Sequence, residues 1–193
     1  MGNEKGFTLV ELAIVLVIIG LLLGGILKGQ ELIKNAKIKK VYSAQSEVVA
    51  ALYTYVDRYG KQPGDDNRAK ARWSGATDGN DDGQIGVFST ACASSAKDES
   101  CQAWRHMRLA DILSGDPNVS LNPDNAYGGK IAIGQLKVQG LSKLWVGMTN
   151  IPFDVAQILD DKYDDGNFKT GPIRGSGDYT AAKTGTFTVY FEF

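Results

Sequence analysis

One stretch limits what this chain can fold into. Residues 6–27 read GFTLVELAIVLVIIGLLLGGIL, and from Leu12 to Leu27 every residue is apolar or glycine. With Phe7, Leu9 and Val10 the run reaches the ~20 residues a helix needs to cross the hydrocarbon of a bilayer. A short polar leader, Met1–Lys5, precedes it, and one carboxylate, Glu11, lies near its start. A charge at the bilayer centre costs roughly 2.5–3.5 kcal/mol on insertion scales. Glu11 is only four residues from Phe7, about 6 Å along a helix, so snorkelling to the interface would remove most of that cost.

Three readings of this segment compete. A secretory signal peptide needs a longer positive region and a small-residue cleavage site after the apolar run. Here Lys5 is the only basic residue of the leader, and Gly24-Gly25 is a poor substitute for such a site. A plain membrane anchor is the second reading. The third comes from the junction Lys5-Gly6-Phe7-Thr8-Leu9-Val10-Glu11-Leu12, which resembles the class III signal of type IV pilins and type II secretion pseudopilins. The likeness joins a glycine, a phenylalanine, a correctly spaced glutamate and an uninterrupted apolar helix. It is close over about the first 30 residues and looser beyond them.

The resemblance carries a set of implications. A prepilin peptidase cuts between Gly6 and Phe7 and N-methylates Phe7. Glu11 serves assembly by meeting the N-terminal amine of a neighbouring subunit, and in an apolar filament core that attraction is less screened than in water. Residues 1–6 are then a leader, 7–27 a transmembrane and filament-core helix, and 28–193 an exported globular domain that includes the second half of the long helix. The implied partners are copies of the chain, other pilins, the prepilin peptidase and an inner-membrane assembly platform. The implied location is the bacterial inner membrane as prepilin, then the periplasm or a cell-surface filament.

Charge and cysteine content bear on this. The formal net charge is −1, so no overall field favours nucleic acid or anionic lipid. Lys28, Lys34, Lys37, Lys39 and Lys40 follow the apolar run, and the positive-inside rule would keep that side in the cytoplasm. The cleavage signature and the cysteine pair point the other way. In an exported domain Cys92 and Cys101 are expected to form a disulfide, worth roughly 2–3 kcal/mol for so short a loop. The other readings are two free thiols or half a metal site, although the spacing fits no zinc pattern.

Further along, apolar residues recur at Val41, Ala44, Val48, Leu52, Tyr55 and Tyr59, a helical spacing. The first helix is therefore expected to run from Phe7 to Tyr59, about 80 Å, and to stop at Gly60. Residues 60–100 read as a long loop with turns. Cys101–Leu113 and Phe153–Leu159 have helical patterns. Lys130–Val138, Lys143–Thr149 and Thr186–Phe193 read as strands, and residues 160–185 as a connection. The sum is an α+β fold, one long N-terminal helix packed on a small antiparallel sheet, as a pilin fold would require.

The segment Asp78-Gly79-Asn80-Asp81-Asp82-Gly83-Gln84-Ile85 matches the first half of an EF-hand loop. Asp78, Asn80 and Asp82 would offer side-chain oxygens and Gln84 its carbonyl to Ca²⁺. Ser89 stands where the bidentate acid belongs, so Glu99 or Asp98 would have to complete the shell. An ordinary solvated turn is the competing reading. The second acidic run, Asp160 to Asn167, reads as a helix end and turn. His106 is the only histidine, no catalytic dyad or phosphate loop is evident, and Trp73, Trp104 and Trp145 read as core. Two functional classes follow. One is a non-enzymatic pilus-type filament subunit, with a type II secretion pseudopilin as its variant. The other is a membrane-anchored calcium-binding or adhesive module that never polymerises.

Overall fold

The computed structural model describes Gly6 and residues 8–193. In chain order the elements are α1 (Leu9–Tyr59), α2 (Ala69–Arg72), α3 (Glu99–Leu109), β1 (Ile131–Val138), β2 (Leu141–Pro152), α4 (Phe153–Tyr163), β3 (Ile173–Gly175) and β4 (Thr186–Glu192). The chain divides into two compact units, Met1–Lys39 and Lys40–Phe193. In the first unit the described structure is helical from Leu9 onward, without proline and with an apolar surface up to Leu27.

In the second unit, α1 continues to Tyr59 with a changed pattern. Val41, Val48, Ala51, Leu52 and Tyr55 are buried on one face, the spacing of an amphipathic helix. Tyr42 stacks on Tyr163 of α4 with ring centroids 3.7 Å apart, and Tyr53 meets Phe193 at 5.1 Å. The helix stops as expected at Gly60, whose φ of 68° suits a residue without a Cβ. Its N–H still donates to the Val56 carbonyl at 2.8 Å, closing the last turn.

The sheet has the order β1-β2-β4-β3 and is antiparallel throughout. β1 and β2 form a hairpin in which Val138 pairs with Leu141. Gln139 and Gly140 turn the chain with φ of 46° and 88°, and positive φ at both central residues matches the right-handed strand twist. Residues 86–88 lie along the outer edge of β1. The Phe88 N–H donates to the Gln135 carbonyl at 3.1 Å, and the Gln135 N–H to the Gly86 carbonyl at 2.9 Å, which covers an otherwise open strand edge. Ile131, Ile133, Trp145, Met148, Ile151, Val189 and Phe191 supply the buried side chains of the sheet.

α3 joins these parts. Asp98 caps it by accepting the Cys101 N–H, and Ser100 Oγ donates to the Ile133 carbonyl of β1 at 2.6 Å. Cys92 and Cys101 are bonded, with Cα atoms 5.4 Å apart, so the loop before α3 is pinned to its first turn.

The α+β expectation holds: a long apolar N-terminal helix, with its second half on a small antiparallel sheet. Two short elements lie inside stretches read as loops. β3 is three residues long, too short to show alternation, and exists because Ile173–Gly175 pair with Val189–Phe191. α2 is one turn of four residues.

His106 has become a buried latch. It is fully buried on α3; its Nδ1 accepts the Gly64 N–H at 3.0 Å, so Nε2, 2.8 Å from the Thr77 carbonyl, is the protonated nitrogen. Burial is the main cause holding the imidazole down to about 4, against an ordinary 6.5. The folded chain therefore binds fewer protons than the unfolded one across that window. Stability from this group is complete above pH 6.5 and is lost as the pH falls towards 4. The loss is expected to be about 3 kcal/mol, read as the excess over a His106→Gln chain in urea melts in detergent micelles. Equal losses in the two proteins would remove His106 from this role.

Candidate functional site

Two places gather functional side chains. The first is the start of α1. Thr8 is its N-cap: Thr8 Oγ1 accepts the Glu11 N–H at 3.2 Å. Glu11 Oε2 reaches back and accepts both the Thr8 N–H and the Thr8 hydroxyl, each at 2.8 Å. This is a reciprocal capping box, which satisfies donors that every helix N-terminus leaves open. The first backbone bond of the helix, Leu12 N–H to the Thr8 carbonyl at 3.2 Å, follows directly. Glu11 also brings a negative charge to the positive end of the helix dipole. Gly6 is exposed; Phe7 lies outside the described residues.

Beyond this cap the helix is apolar around its whole circumference. From Leu9 to Leu27 the large apolar side chains are between 45% and 86% exposed. It is the one helix among the described residues long and apolar enough to cross a membrane. A contiguous apolar surface of this extent marks a lipid or protein contact. Gly20, Gly24 and Gly25 leave the backbone bare, with nothing within 4 Å of where a Cβ would stand, so a neighbouring helix could approach closely there.

The second place is the turn-rich segment before α3. Asp65 is buried; its Oδ1 accepts the Asp82 N–H at 3.0 Å and its Oδ2 the Gly83 N–H at 2.9 Å. Glu99, in the first turn of α3, accepts the Asn80 N–H at 2.9 Å. Carboxylate oxygens of Asp65, Asp82 and Glu99 lie within 4.8 Å of one another. Burial, then repulsion from Asp65 and Asp82, raises the Glu99 carboxyl above the ordinary range. Three hard oxygen donors at this spacing suit a cation such as Ca²⁺.

The predicted ligands divide between this group and its surroundings. Asp82 belongs to the group, and its Oδ1 also accepts the Gln84 N–H at 2.9 Å. Asn80 Oδ1 accepts the Asp82 N–H at 2.9 Å, so Asn80 and Gln84 shape the loop around Asp82. Asp78 turns to α2, where it accepts the Lys70 N–H at 2.7 Å. Glu99 is the acid close by, while Asp98 is occupied as the α3 cap. Asp65 was not singled out in the sequence, where it reads as part of the turn Pro63-Gly64-Asp65-Asp66. Only the fold sets it 17 residues back against Asp82. Thr8 was also passed over, although Thr-x-x-Glu before an apolar run is a recognisable helix start.

The remaining candidates are structural. Asp160 is buried, accepts the Tyr179 hydroxyl and takes the Gly166 N–H at 3.0 Å. Asp164 accepts the Ile173 N–H at 2.6 Å, and Asp165 the Thr170 hydroxyl at 2.6 Å. These three carboxylates lie close together and bind the end of α4 to the loop that follows. Trp104 and Trp145 are fully buried.

Comparison with known families agrees with the helix start. Residues 1–27 match the family described as Prokaryotic N-terminal methylation motif, the signal of type IV pilins and pseudopilins. No curated protein and no solved structure matches the chain. The motif supports a pilin- or pseudopilin-like precursor, and the apolar helix suits a membrane-anchored one. They point to a structural subunit rather than an enzyme.

The acidic group depends on a close backbone crossing. A Cβ at Gly79 would lie 2.3 Å from the Gly64 carbonyl oxygen and from the Asp65 carbonyl carbon. Both are backbone atoms, so neither can swing aside. Gly79→Ala is expected to destabilise the domain by about 1–3 kcal/mol, measured as a lowered urea midpoint with unchanged slope. An unaltered midpoint would mean that the loop does not sit against Asp65.

Proposed function

We propose that the chain is a structural subunit, major or minor, of a type IV pilus-like filament. In this reading the precursor is held in the membrane by residues 7–27, cut between Gly6 and Phe7, methylated on Phe7, and extracted into a filament whose core is a bundle of apolar helices. The observation that carries it is the exposed apolar helix beginning at a Thr8–Glu11 cap inside the methylation motif. Such a helix is stable in lipid and, once extracted, only among other apolar helices. The long loops of the domain favour a pilus subunit over a type II secretion pseudopilin.

Glu11 has a defined part in this scheme. The Thr8 amide and hydroxyl that it accepts lie on the far side of the Phe7–Thr8 bond from the proposed cut. The cap therefore survives processing, and the new Phe7 amine forms one residue away. Glu11 would then balance the amine of a neighbouring subunit in a poorly screened core.

The acidic group favours a calcium role for the globular domain, either in the filament subunit or in an anchored module that does not polymerise. Asp65, Asp82 and Glu99 would hold the ion, with Asn80 and Gln84 setting the loop and Asp78 outside the shell.

Three outcomes test these statements. The mature protein recovered from sheared surface material should lack residues 1–6 and carry one added methyl group at Phe7; an intact Met1 end would sink the filament reading. Glu11→Ala should leave membrane insertion intact and reduce filament number severely, counted by electron microscopy; normal numbers would count against the pairing. Calcium at about 100 times its Kd should stabilise the domain by about 2.7 kcal/mol, and Asp82→Asn should abolish the shift. No shift at millimolar calcium would return the loop to an ordinary turn.

A further inference from the structure

The loop that Cys92–Cys101 joins to α3 is also held without the disulfide. The Cys92 N–H donates to Asn122 Oδ1 at 2.9 Å. Asn122 is itself buried, and its Nδ2 donates to the Ser89 and Ile131 carbonyls, each at 3.1 Å. The Ser89 N–H donates to Ser100 Oγ at 3.2 Å. Inside the loop the Ala96 carbonyl accepts from Gln102 Nε2 and, at 3.2 Å, from the Ser120 hydroxyl. These bonds tie the backbone on both sides of the disulfide to α3 and to β1. Breaking the S–S bond therefore leaves both sulfurs in place.

A third ligand atom stands beside them. Ligand atoms of Cys92, Cys101 and Asp98 lie within 4.8 Å of one another. Asp98 caps α3 through Oδ1, which accepts the Cys101 N–H at 3.3 Å, and the cap does not use Oδ2. Two thiolates and a carboxylate this close repel one another, and a divalent cation removes the repulsion. Thiolate sulfur selects Zn²⁺ over Ca²⁺, and three protein ligands leave the fourth tetrahedral position open. The nine-residue separation of the cysteines carries no zinc signature because the third ligand comes from a helix cap.

We infer that Cys92, Cys101 and Asp98 form a redox-gated site for Zn²⁺, blocked by the disulfide and opened by a dithiol reductant. Cys92 is 7% exposed and Cys101 fully buried, so attack falls on Cys92 Sγ. The reductant's thiolate bonds to that sulfur, the Cys92–Cys101 bond breaks, and the electron pair leaves on Cys101. Cys101 lies in the first turn of α3, where the helix dipole favours a thiolate. The reductant's second thiolate then attacks its own sulfur in the mixed disulfide and frees Cys92. Two electrons pass to the protein, and the reductant leaves as a disulfide. The two thiol protons go to water when Zn²⁺ takes both thiolates. The site is independent of the filament reading.

The test uses the full chain in detergent micelles, reduced by a dithiol resin that is then removed under argon. Cd²⁺ serves as the probe, because thiolate-to-cadmium charge transfer absorbs in the ultraviolet. The reduced chain should bind one Cd²⁺ with this band, Zn²⁺ should displace it, and the oxidised chain should show no band. Asp98→Asn keeps a good helix cap and should weaken binding by about 10–100-fold. No band in a chain with two titratable thiols and a cooperative urea melt overturns the site and leaves the pair a staple. A reduced chain that melts without cooperativity overturns it too, because the loop then depends on the disulfide. Unchanged affinity in Asp98→Asn removes the carboxylate from the site and overturns the three-ligand assignment. One Cd²⁺ per two chains would assign the thiolates to a contact between copies, and displacement by millimolar Ca²⁺ would assign the ion to the acidic loop; either overturns the inference.

Discussion

The constraint behind this structure is that one helix must satisfy two different solvents. From Leu12 to Leu27, α1 is apolar on every side and its side chains remain exposed. From Val41 the burial narrows to one face, as in a helix that borders water on one side and a core on the other. Backbone hydrogen bonding is indifferent to this change, because the helix satisfies its own amides and carbonyls in either medium. The change is made entirely by side chains. The glycines at 20, 24, 25 and 29 lower helix propensity in the first part, yet the helix persists through them.

Within the second unit, polar staples do much of the work that a larger core would do. Asp66 is fully buried and accepts the Tyr55 hydroxyl at 2.7 Å while pairing with Arg72. The same guanidinium lies over the Tyr59 ring at 4.7 Å and the Trp73 ring at 5.3 Å. A buried charge is tolerated only when paired and hydrogen-bonded, and here both conditions are met. Tyr55 in turn lies near-parallel to the His106 ring, so the end of α1, the turn at Pro63–Asp66 and α3 form one network. Arg108 acts similarly for the loop after α3, donating to the Val119 and Leu121 carbonyls at 3.0 and 2.7 Å. Long loops are held by their backbone groups, which need partners once buried.

How much of this was legible in the sequence depended on periodicity. Val41, Val48, Leu52 and Tyr55 announced the buried face of α1 because a helix repeats every 3.6 residues. The dense run Thr186–Glu192 announced β4. β3 was invisible because three residues carry no period and only pairing with β4 defines them. His106 gave no sign that it would bridge Gly64 and Thr77. Asp65 was hidden for the same reason: the sequence places it next to Asp66, yet the two carboxylates serve different partners, Asp65 the acidic loop and Asp66 the Tyr55–Arg72 pair. Alternation in Asp78–Gln84 suggested one ligand loop completed by Glu99 or Asp98, but the fold sets only Asp82 of that loop beside Glu99 and adds Asp65 from a third segment.

The start of α1 joins local helix chemistry to the proposed assembly. A capping box needs a carboxylate three residues after the cap, and Glu11 meets that need through Oε2 alone. In water the capping contribution would be small. At a membrane surface it does more, because a carboxylate fixed at the helix end stays near the headgroups and out of the hydrocarbon, while the orphan donors of the first turn are covered. The same bonds fix where the charge stands relative to Thr8. Processing between Gly6 and Phe7 would create a cation one residue from an anion already held in place, so less conformational freedom remains to be lost when a neighbouring subunit brings the two charges together. On this view the threonine at position 8 preorganises Glu11, and the helix cap and the assembly contact are two uses of one carboxylate.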